Sequence, residues 1–546
     1  MKKSSIRIIS LAIVMIMALG LAAACGPTAG GGDAPPPAPP SPGPAAGSPT
    51  PAPVQSSPEP PPAEARFADH LDIIVDNAQI TVLNPFSPAS GSGSTNWCFF
   101  MMYDRMLTNL GEGEYGPNLA TSFDTDDYQT YVFTLRQDVW FHNGDKFTAQ
   151  DVIDTIMASR DGLGSNAFDF WRPVETVTAL DEYTVEMVLS DVNVDFLYGL
   201  TLPATGIINK RAMDQDSENG TWIGTGAYRV VEFVSNDYVV FERNDDYWGD
   251  APFTRMMTLR FVPEMSTRTI MMQNGESQLC LGGNSAEDIH LFQNDPDSFE
   301  VIPVVFTNAN TISFNLEDPI AGDLNFRMAV ASAINREEIA IVAAGEWAWP
   351  VEDGTMWGFN TEFKNYDIPQ IPHDLDAARA YLEASTYNGE EIEIVAAITT
   401  NVRAAQAVQQ QLSAIGVNIT INQMDPPSLF SYAAYGNNQS QLNMMVTALT
   451  PNVASLRSVF YPGAAYNRAS FNNPRVTEIL DLGPTIGNID ERRALYYEMQ
   501  EIVHAEQPVI NLFWRVVAVV AARGVGGMVL TSDTYYDLRY TYMVLD

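Results

Sequence analysis

The sequence predicts an α/β protein built as at least two lobes. Runs of strand period alternate along the chain with amphipathic helical runs, and no internal repeat is present. Residues 391–422 read as strand, helix and strand in direct succession, which is a βαβ unit. The 481 residues after position 65 exceed what a single hydrophobic core serves.

The elements run in chain order. Leu71 to Val75 and Ile80 to Leu83 read as short strands, the second ending at Asn84-Pro85. Asn96 to Leu107 is expected to be helical, with Phe99, Phe100, Tyr103 and Leu107 on one face. Tyr131 to Arg136 alternates like a half-buried strand, and Asn143-Gly144 marks a turn. Thr148 with Asp151 makes a capping box for a helix from Ala149 to Arg160. Tyr183 to Leu189 is a further strand. Ala227 to Val234 and Tyr238 to Glu242 flank Ser235-Asn236-Asp237 as a hairpin. In the βαβ unit, Glu391 to Ile398 and Val417 to Asn422 are the strands and Val402 to Ile415 the helix, with Gly416 as its C-cap. Asp490 to Ala505 is a long helix with Leu495, Met499, Ile502 and Val503 inward.

The first 65 residues read as an address and a tether. Lys2, Lys3 and Arg7 precede the apolar run Ile8 to Leu21, and Ala22, Ala23 and Ala24 lead to Cys25. This is secretory signal anatomy, with an uncleaved anchor as the alternative. A cysteine behind small residues resembles a bacterial lipobox, although Ala22 stands where leucine is most common. Lipidation of Cys25 is expected. Residues 26–65 hold 15 of the 35 prolines and no aromatic residue, so they favour polyproline II and cannot build a core. Such a tether reaches roughly 120 Å. The expected location is the outer face of the cytoplasmic membrane, with membrane contact through the lipid alone.

Charge narrows the partners. The chain carries 29 Lys and Arg against 67 Asp and Glu, a formal charge of −38. That field repels phosphate backbones, so no nucleic-acid partner is expected. Catalytic motifs are missing: there is no G-x-S-x-G, H-E-x-x-H, C-x-x-C or phosphate-binding P-loop. The five histidines show no ligand spacing, so neither a metal nor a cofactor is expected. His142 is read as hydrogen-bonded to its own turn. Cys98 and Cys280 are either a disulfide or two buried thiols.

Several ordered motifs carry a resemblance. They are Gly116-Pro117-Asn118-Leu119-Ala120, Val139-Trp140-Phe141-His142-Asn143-Gly144 and Phe147-Thr148-Ala149-Gln150-Asp151-Val152, then Ile223 to Tyr228 and Arg243 to Trp248. Thr311 to Asn315, Arg327 to Val330 and Asn472-Asn473-Pro474 come after them. The set resembles the family 5 extracellular solute-binding proteins, the peptide and nickel receptors of ABC importers, over roughly residues 66–546. The motif residues themselves read as structural. Gly224 and Gly226 suit a lobe crossing with unusual φ, and Arg327 an internal ion pair.

The resemblance implies a two-lobed periplasmic-binding-protein-like fold with an extra subdomain and a ligand cleft between lobes. Residues 66–100, 220–305 and 508–546 would form lobe I, 101–219 the extra subdomain and 306–507 lobe II. The expected function is that of a monomeric receptor capturing oligopeptides for an ABC permease. An oligosaccharide or a nickel chelate is the runner-up ligand, and a secreted cell-wall hydrolase the rival class. Related peptide receptors hold the peptide ammonium with an Asp shortly after a Trp. Here Leu449 and Asn452 stand at those places, and Asn lacks the charge that pairs with ammonium. The expected ligand-binding residues are Trp97, Trp347, Trp349, Thr447, Thr450 and Asn452.

Overall fold

The structure is a computed structural model. It describes residues 66–545 except 76–79, 88–92, 112, 162–167, 218, 283–285, 352, 356, 359–362, 449–452 and 531–535. Cys25, the signal segment and the tether, with Thr450 and Asn452, lie outside the described residues. All the described residues belong to one compact unit, Gly47–Asp546.

An eleven-stranded mixed sheet organises the molecule. Its centre is a pair of long antiparallel strands, Phe299–Phe314 and Val509–Ala522. On one side lie Leu442–Ala448, Glu391–Ala396 and Asn418–Gln423; on the other lie Leu279–Leu281, His70–Val75, Met256–Phe261, Tyr238–Arg243 and Tyr228–Val234. The βαβ unit is present, with Glu391–Ala396 parallel to Asn418–Gln423 and the helix Thr399–Ser413 between them. Gly416 takes φ +89°, which only glycine adopts without strain, and closes that helix.

The two long strands pair Val301 with Val520 near one end and Ile312 with Ile510 near the other. Between these points the register shifts twice, at Val305/Ala309 and at Asn310/Thr311. Extra residues in one strand bend it and increase its twist, so the two ends of the ladder serve different cores.

Those cores are separate. One gathers Ile73, Val75, Tyr103, Val239, Leu259 and Val519. A second draws its buried residues from 106–207, under the four-stranded antiparallel sheet formed by 120–124, 130–135, 184–189 and 174–181, with Ile223 and Trp248 packed against it. A third packs Ile312, Phe314, Ile392, Leu442 and Ile510 against helices, and a fourth packs Trp357, Tyr496, Met499, Val503 and Trp514. This is a two-lobed α/β fold with an extra subdomain.

Local corrections arise from contacts distant in sequence. The helix expected to Leu107 spans Gly93–Met102, and Leu107 opens the strand Leu107–Gly111. Ile80 to Leu83 forms no strand; Ile80 and Leu83 are core residues of an irregular segment. The helix Ala149–Asp161 does begin at the expected cap, with the Thr148 backbone N–H donating to Asp151 at 2.9 Å. Gly224 and Gly226 are required by close packing and not by φ. A Cβ on Gly224 would fall 2.0 Å from the Met102 carbonyl oxygen, and one on Gly226 2.5 Å from that of Met101.

His142 does not bond its own turn. Its Nε2 lies 2.9 Å from the Gly226 carbonyl, and its Nδ1 accepts the Gly224 N–H at 3.3 Å. Arg327 makes no ion pair among the described residues; its guanidinium donates to the carbonyls of Glu506, Ala321 and Gly322. Cys98 and Cys280 are two buried thiols in different cores, not a disulfide, and burial pushes the Cys98 thiol up to about 12.

Candidate functional site

Thr225, Tyr247 and Trp248, from the two motifs at 223–228 and 243–248, have structural roles. The buried Asp104 carboxylate accepts from the Thr225 hydroxyl at 3.0 Å, the Tyr247 hydroxyl at 3.0 Å and Trp248 Nε1 at 2.8 Å. A carboxylate spent on three donors ties the first core to its neighbours and leaves little for a ligand.

A candidate site lies where the central strands shift register. Four strands meet there on a single rung. Trp349, on the short strand Ala348–Pro350, is opposite Trp514. Trp514 is opposite Ala309, and Ala309 is opposite Thr447. Cross-strand partners project to the same face, so two tryptophans, a small alanine and a hydroxyl form one row. The Thr447 hydroxyl lies 2.9 Å from that of Thr311 on the same face. Lys364 Nζ stands 6.0 Å from the Trp514 ring and 2.8 Å from Asp353.

The expected site residues divide accordingly. Trp349 and Thr447 share the rung. Trp347 packs beneath it in the fourth core, 5% exposed, with its indole N–H buried and unpaired. Trp97 is 8% exposed in the first core and meets Tyr536 edge-on at 5.2 Å. Tyr536 in turn meets Phe306 at 6.1 Å, and Phe306 sits inside the register shift. Trp97 therefore reaches the crossing only through a second ring.

Residues that sequence reading passed over also gather here. Asn310 is 1% exposed with neither amide atom paired, and lies one position from Ala309. A buried amide without partners costs about 1–3 kcal/mol for each group unless water or a ligand meets it. Arg515, beside Trp514, is exposed and is the one charged residue in Val509–Ala522. That lone cation in an apolar run was the signal available in the sequence. Its significance depends on a pairing register that the sequence does not display.

A separate polar cavity of about 20 Å³ lies between the helix Ile489–Glu506 and the start of the strand Val509–Ala522, lined by Arg336, Thr355, His504 and Asn511 among others. It has room for one water-sized guest and none for a solute. Buried Arg336 has no carboxylate partner among the described residues and donates to the carbonyls of Asn511 and Ile371; burial pushes it down to about 10. Among the described residues no group of three or more His, Cys, Asp or Glu could hold a metal.

The family profile described as bacterial extracellular solute-binding proteins, family 5 middle, matches residues 114–471. The chain belongs to this family. Its members are solute-binding receptors and not enzymes, and this chain is one of them. Among relatives, it is 26% identical over 443 residues to the glutathione-binding protein GsiB of Pectobacterium atrosepticum, covering 77% of this chain and 84% of that one. It is 23% identical over 478 residues to the nickel-binding periplasmic protein of Escherichia coli, covering 82% and 90%.

Solved structures share the fold. The ABC transporter substrate-binding protein CtaP of Listeria monocytogenes matches with a TM-score of 0.78 at 22% identity, covering 88% of this chain and 100% of that one. The periplasmic binding protein DppA of Helicobacter pylori, in complex with the peptide STSA, matches with a TM-score of 0.72 at 21% identity, covering 88% and 99%. No helix among the described residues of this receptor is long and apolar enough to cross a membrane.

Proposed function

We propose that the chain is the substrate-binding lipoprotein of an ABC importer, which captures oligopeptides between two lobes and delivers them to a membrane permease. Lobe I comprises 66–100, 220–305 and 508–546 and carries the extra subdomain 101–219; lobe II comprises 306–507. The strands Phe299–Phe314 and Val509–Ala522 join them and flex at the register shifts. Cys25 holds the lipid, and the proline-rich segment sets the reach of a monomeric receptor.

The observation that carries this function is the rung Trp349–Trp514–Ala309–Thr447 at the crossing. The partly exposed Trp349, backed by the buried Trp514 and Ala309, offers a flat aromatic face that accepts varied apolar side chains, as suits a site that reads a peptide main chain more than its side chains. Thr450 and Asn452, which follow Thr447 in the sequence, are further proposed solute contacts. Trp347 backs the rung from the fourth core, and Trp97 supports the crossing through Tyr536 and Phe306.

Equilibrium binding to the purified mature chain tests this, with a pool of random di- to pentapeptides as probe. Saturable one-to-one binding without products is expected. Accumulating fragments would restore the hydrolase class. Binding of a nickel chelate or of oligosaccharide in place of peptide would move the assignment to those ligands. Replacing Cys25 by Ser is expected to release the receptor from membranes; continued retention would overturn the lipid anchor.

A further inference from the structure

A second meeting place lies away from the strand crossing. Tyr128, Val194 and Asp195 flank strands and helices whose apolar residues build the core of residues 106–207, whereas Pro484, Gly487 and Arg492 lie at the start of the helix Ile489–Glu506 or just before it, and that helix packs into the fourth core. Three contacts join them. The Val194 backbone N–H donates to the Pro484 carbonyl at 2.8 Å. Arg492 Nη2 donates to Asp195 Oδ1 at 2.5 Å. Gly487 lies under the Tyr128 ring so closely that a Cβ there would fall 2.4 Å from it.

The construction on each side is asymmetric. Arg492 is held within its own lobe, with its guanidinium 4.8 Å from the Phe363 ring centroid and its side chain 9% exposed. Asp195 precedes the short helix Phe196–Gly199 yet makes no side-chain cap bond, so its carboxylate is committed to Arg492 and not to its own helix. Tyr128 holds a left-handed φ of +54°, unusual for an aromatic residue, and its carbonyl accepts the Asn193 N–H at 2.9 Å. Burial alone would lower the Arg492 guanidinium; the Asp195 carboxylate and the Tyr496 hydroxyl together outweigh it, and the net shift is upward.

Among the described residues no hydrophobic cluster spans these contacts; each core closes on its own side. A contact made of one backbone bond, one ion pair and one ring over a glycine is small and polar. Interfaces of that kind open and re-form, in contrast to shared apolar cores. The desolvation that the ion pair needs also keeps its net contribution close to balance, so a modest bias can decide whether it is made.

We propose that Asp195 and Arg492, with the Val194–Pro484 bond, form a clasp between the extra subdomain and lobe II that sets how often the receptor is closed. The pair are positioning residues and touch no solute. The clasp scales the apparent affinity for every solute by the fraction of closed molecules, without altering the preference among solutes. Its coupling to solute rests on the receptor function proposed above, whereas the clasp itself does not.

Hydrogen exchange of the Val194 amide in the full mature chain reads the clasp directly, because that N–H is one of its bonds. Asp195→Asn keeps the shape and leaves Arg492 in place. It is expected to speed Val194 exchange at least about tenfold while amides of the strand Thr184–Leu189 keep their rates. Exchange at Val194 unchanged by the substitution overturns the clasp. Equal acceleration in the strand also overturns it, since the pair would then be merely structural.

The random peptide pool should slow Val194 exchange in the native chain. In the variant its members should lose affinity by one common factor. A bound pool that leaves Val194 exchange unchanged, or losses that differ among peptides, overturns the coupling. Failure of the native chain to bind the pool at all overturns the peptide assignment, and the ligand-free comparison still decides the clasp.

Discussion

Trp349 and Trp514 face each other across two antiparallel strands, at the point where the long central ladder changes register. The two rings differ in burial: Trp514 is 5% exposed and Trp349 is only partly buried. That difference separates a stabilising role from a contact role. Trp514→Ala is expected to cost about 3–5 kcal/mol in urea unfolding, the usual loss for a buried aromatic. Trp349→Ala should leave the midpoint near native and weaken peptide binding about tenfold. Equal losses of stability for both would show that Trp349 is core alone.

The shared hydroxyl contact between Thr311 and Thr447 predicts a smaller effect. Thr447→Val removes one partner, but the Thr311 hydroxyl still reaches the Met445 carbonyl at 3.3 Å. The expected cost is about 1 kcal/mol, measured by chemical denaturation. A loss above about 3 kcal/mol would mean that the hydroxyl pair carries more of the crossing than its geometry indicates.

Gly224 has no room for a side chain. Gly224→Ala places a methyl against the Met102 carbonyl and the Tyr103 ring. The expected destabilisation is about 1–3 kcal/mol or more, by overpacking, with binding specificity retained. A variant as stable as the native chain would contradict the packing account of this glycine.

Acid should weaken the fold in a defined window. Burial lowers both His142 and His504 from the ordinary imidazole value of 6.5. His142 is held neutral by its partners: Nε2–H donates to the Gly226 carbonyl while Nδ1 accepts the Gly224 N–H, which a doubly protonated ring could not do. The unfolded chain then binds protons first, so stability falls as pH drops below about 6.5. The slope is at most about 1.4 kcal/mol per pH unit for each ring. Unfolding curves between pH 7 and 5 should show this slope, reduced in His142→Gln. An unchanged slope in that variant would assign the effect to other groups.

Much of the architecture is legible in local pattern, because local pattern is what the βαβ unit consists of. Ile392 and Ile394 alternate as buried strand residues, Ala404, Val408 and Leu412 recur at helical spacing, and Gly416 ends the helix. Features set by distant partners are not legible there. Gly224 is explained by Met102, and His142 by Gly226, 84 residues away. Apolar residues continue at helical spacing after Met102, which carries the expected helix near Trp97 too far, although the chain there turns to form the strand Leu107–Gly111.

The candidate site is half legible for the same reason. Trp347, Trp349 and Thr447 stand out as residue types in suggestive segments. The partners that give them meaning, Trp514, Ala309 and Asn310, depend on strand register. Two register shifts lie between Val305 and Thr311, and period-two reasoning fails across each of them.

The central claim is that the chain holds a peptide-like solute between its lobes, and native mass spectrometry of the purified mature protein tests it most directly. Receptors that close on a ligand retain it, so a ladder of co-purified peptide masses is the expected result, displaced as a set by added peptide pool. A single metal-chelate mass or a hexose-spaced series, neither displaced by peptides, would contradict the account.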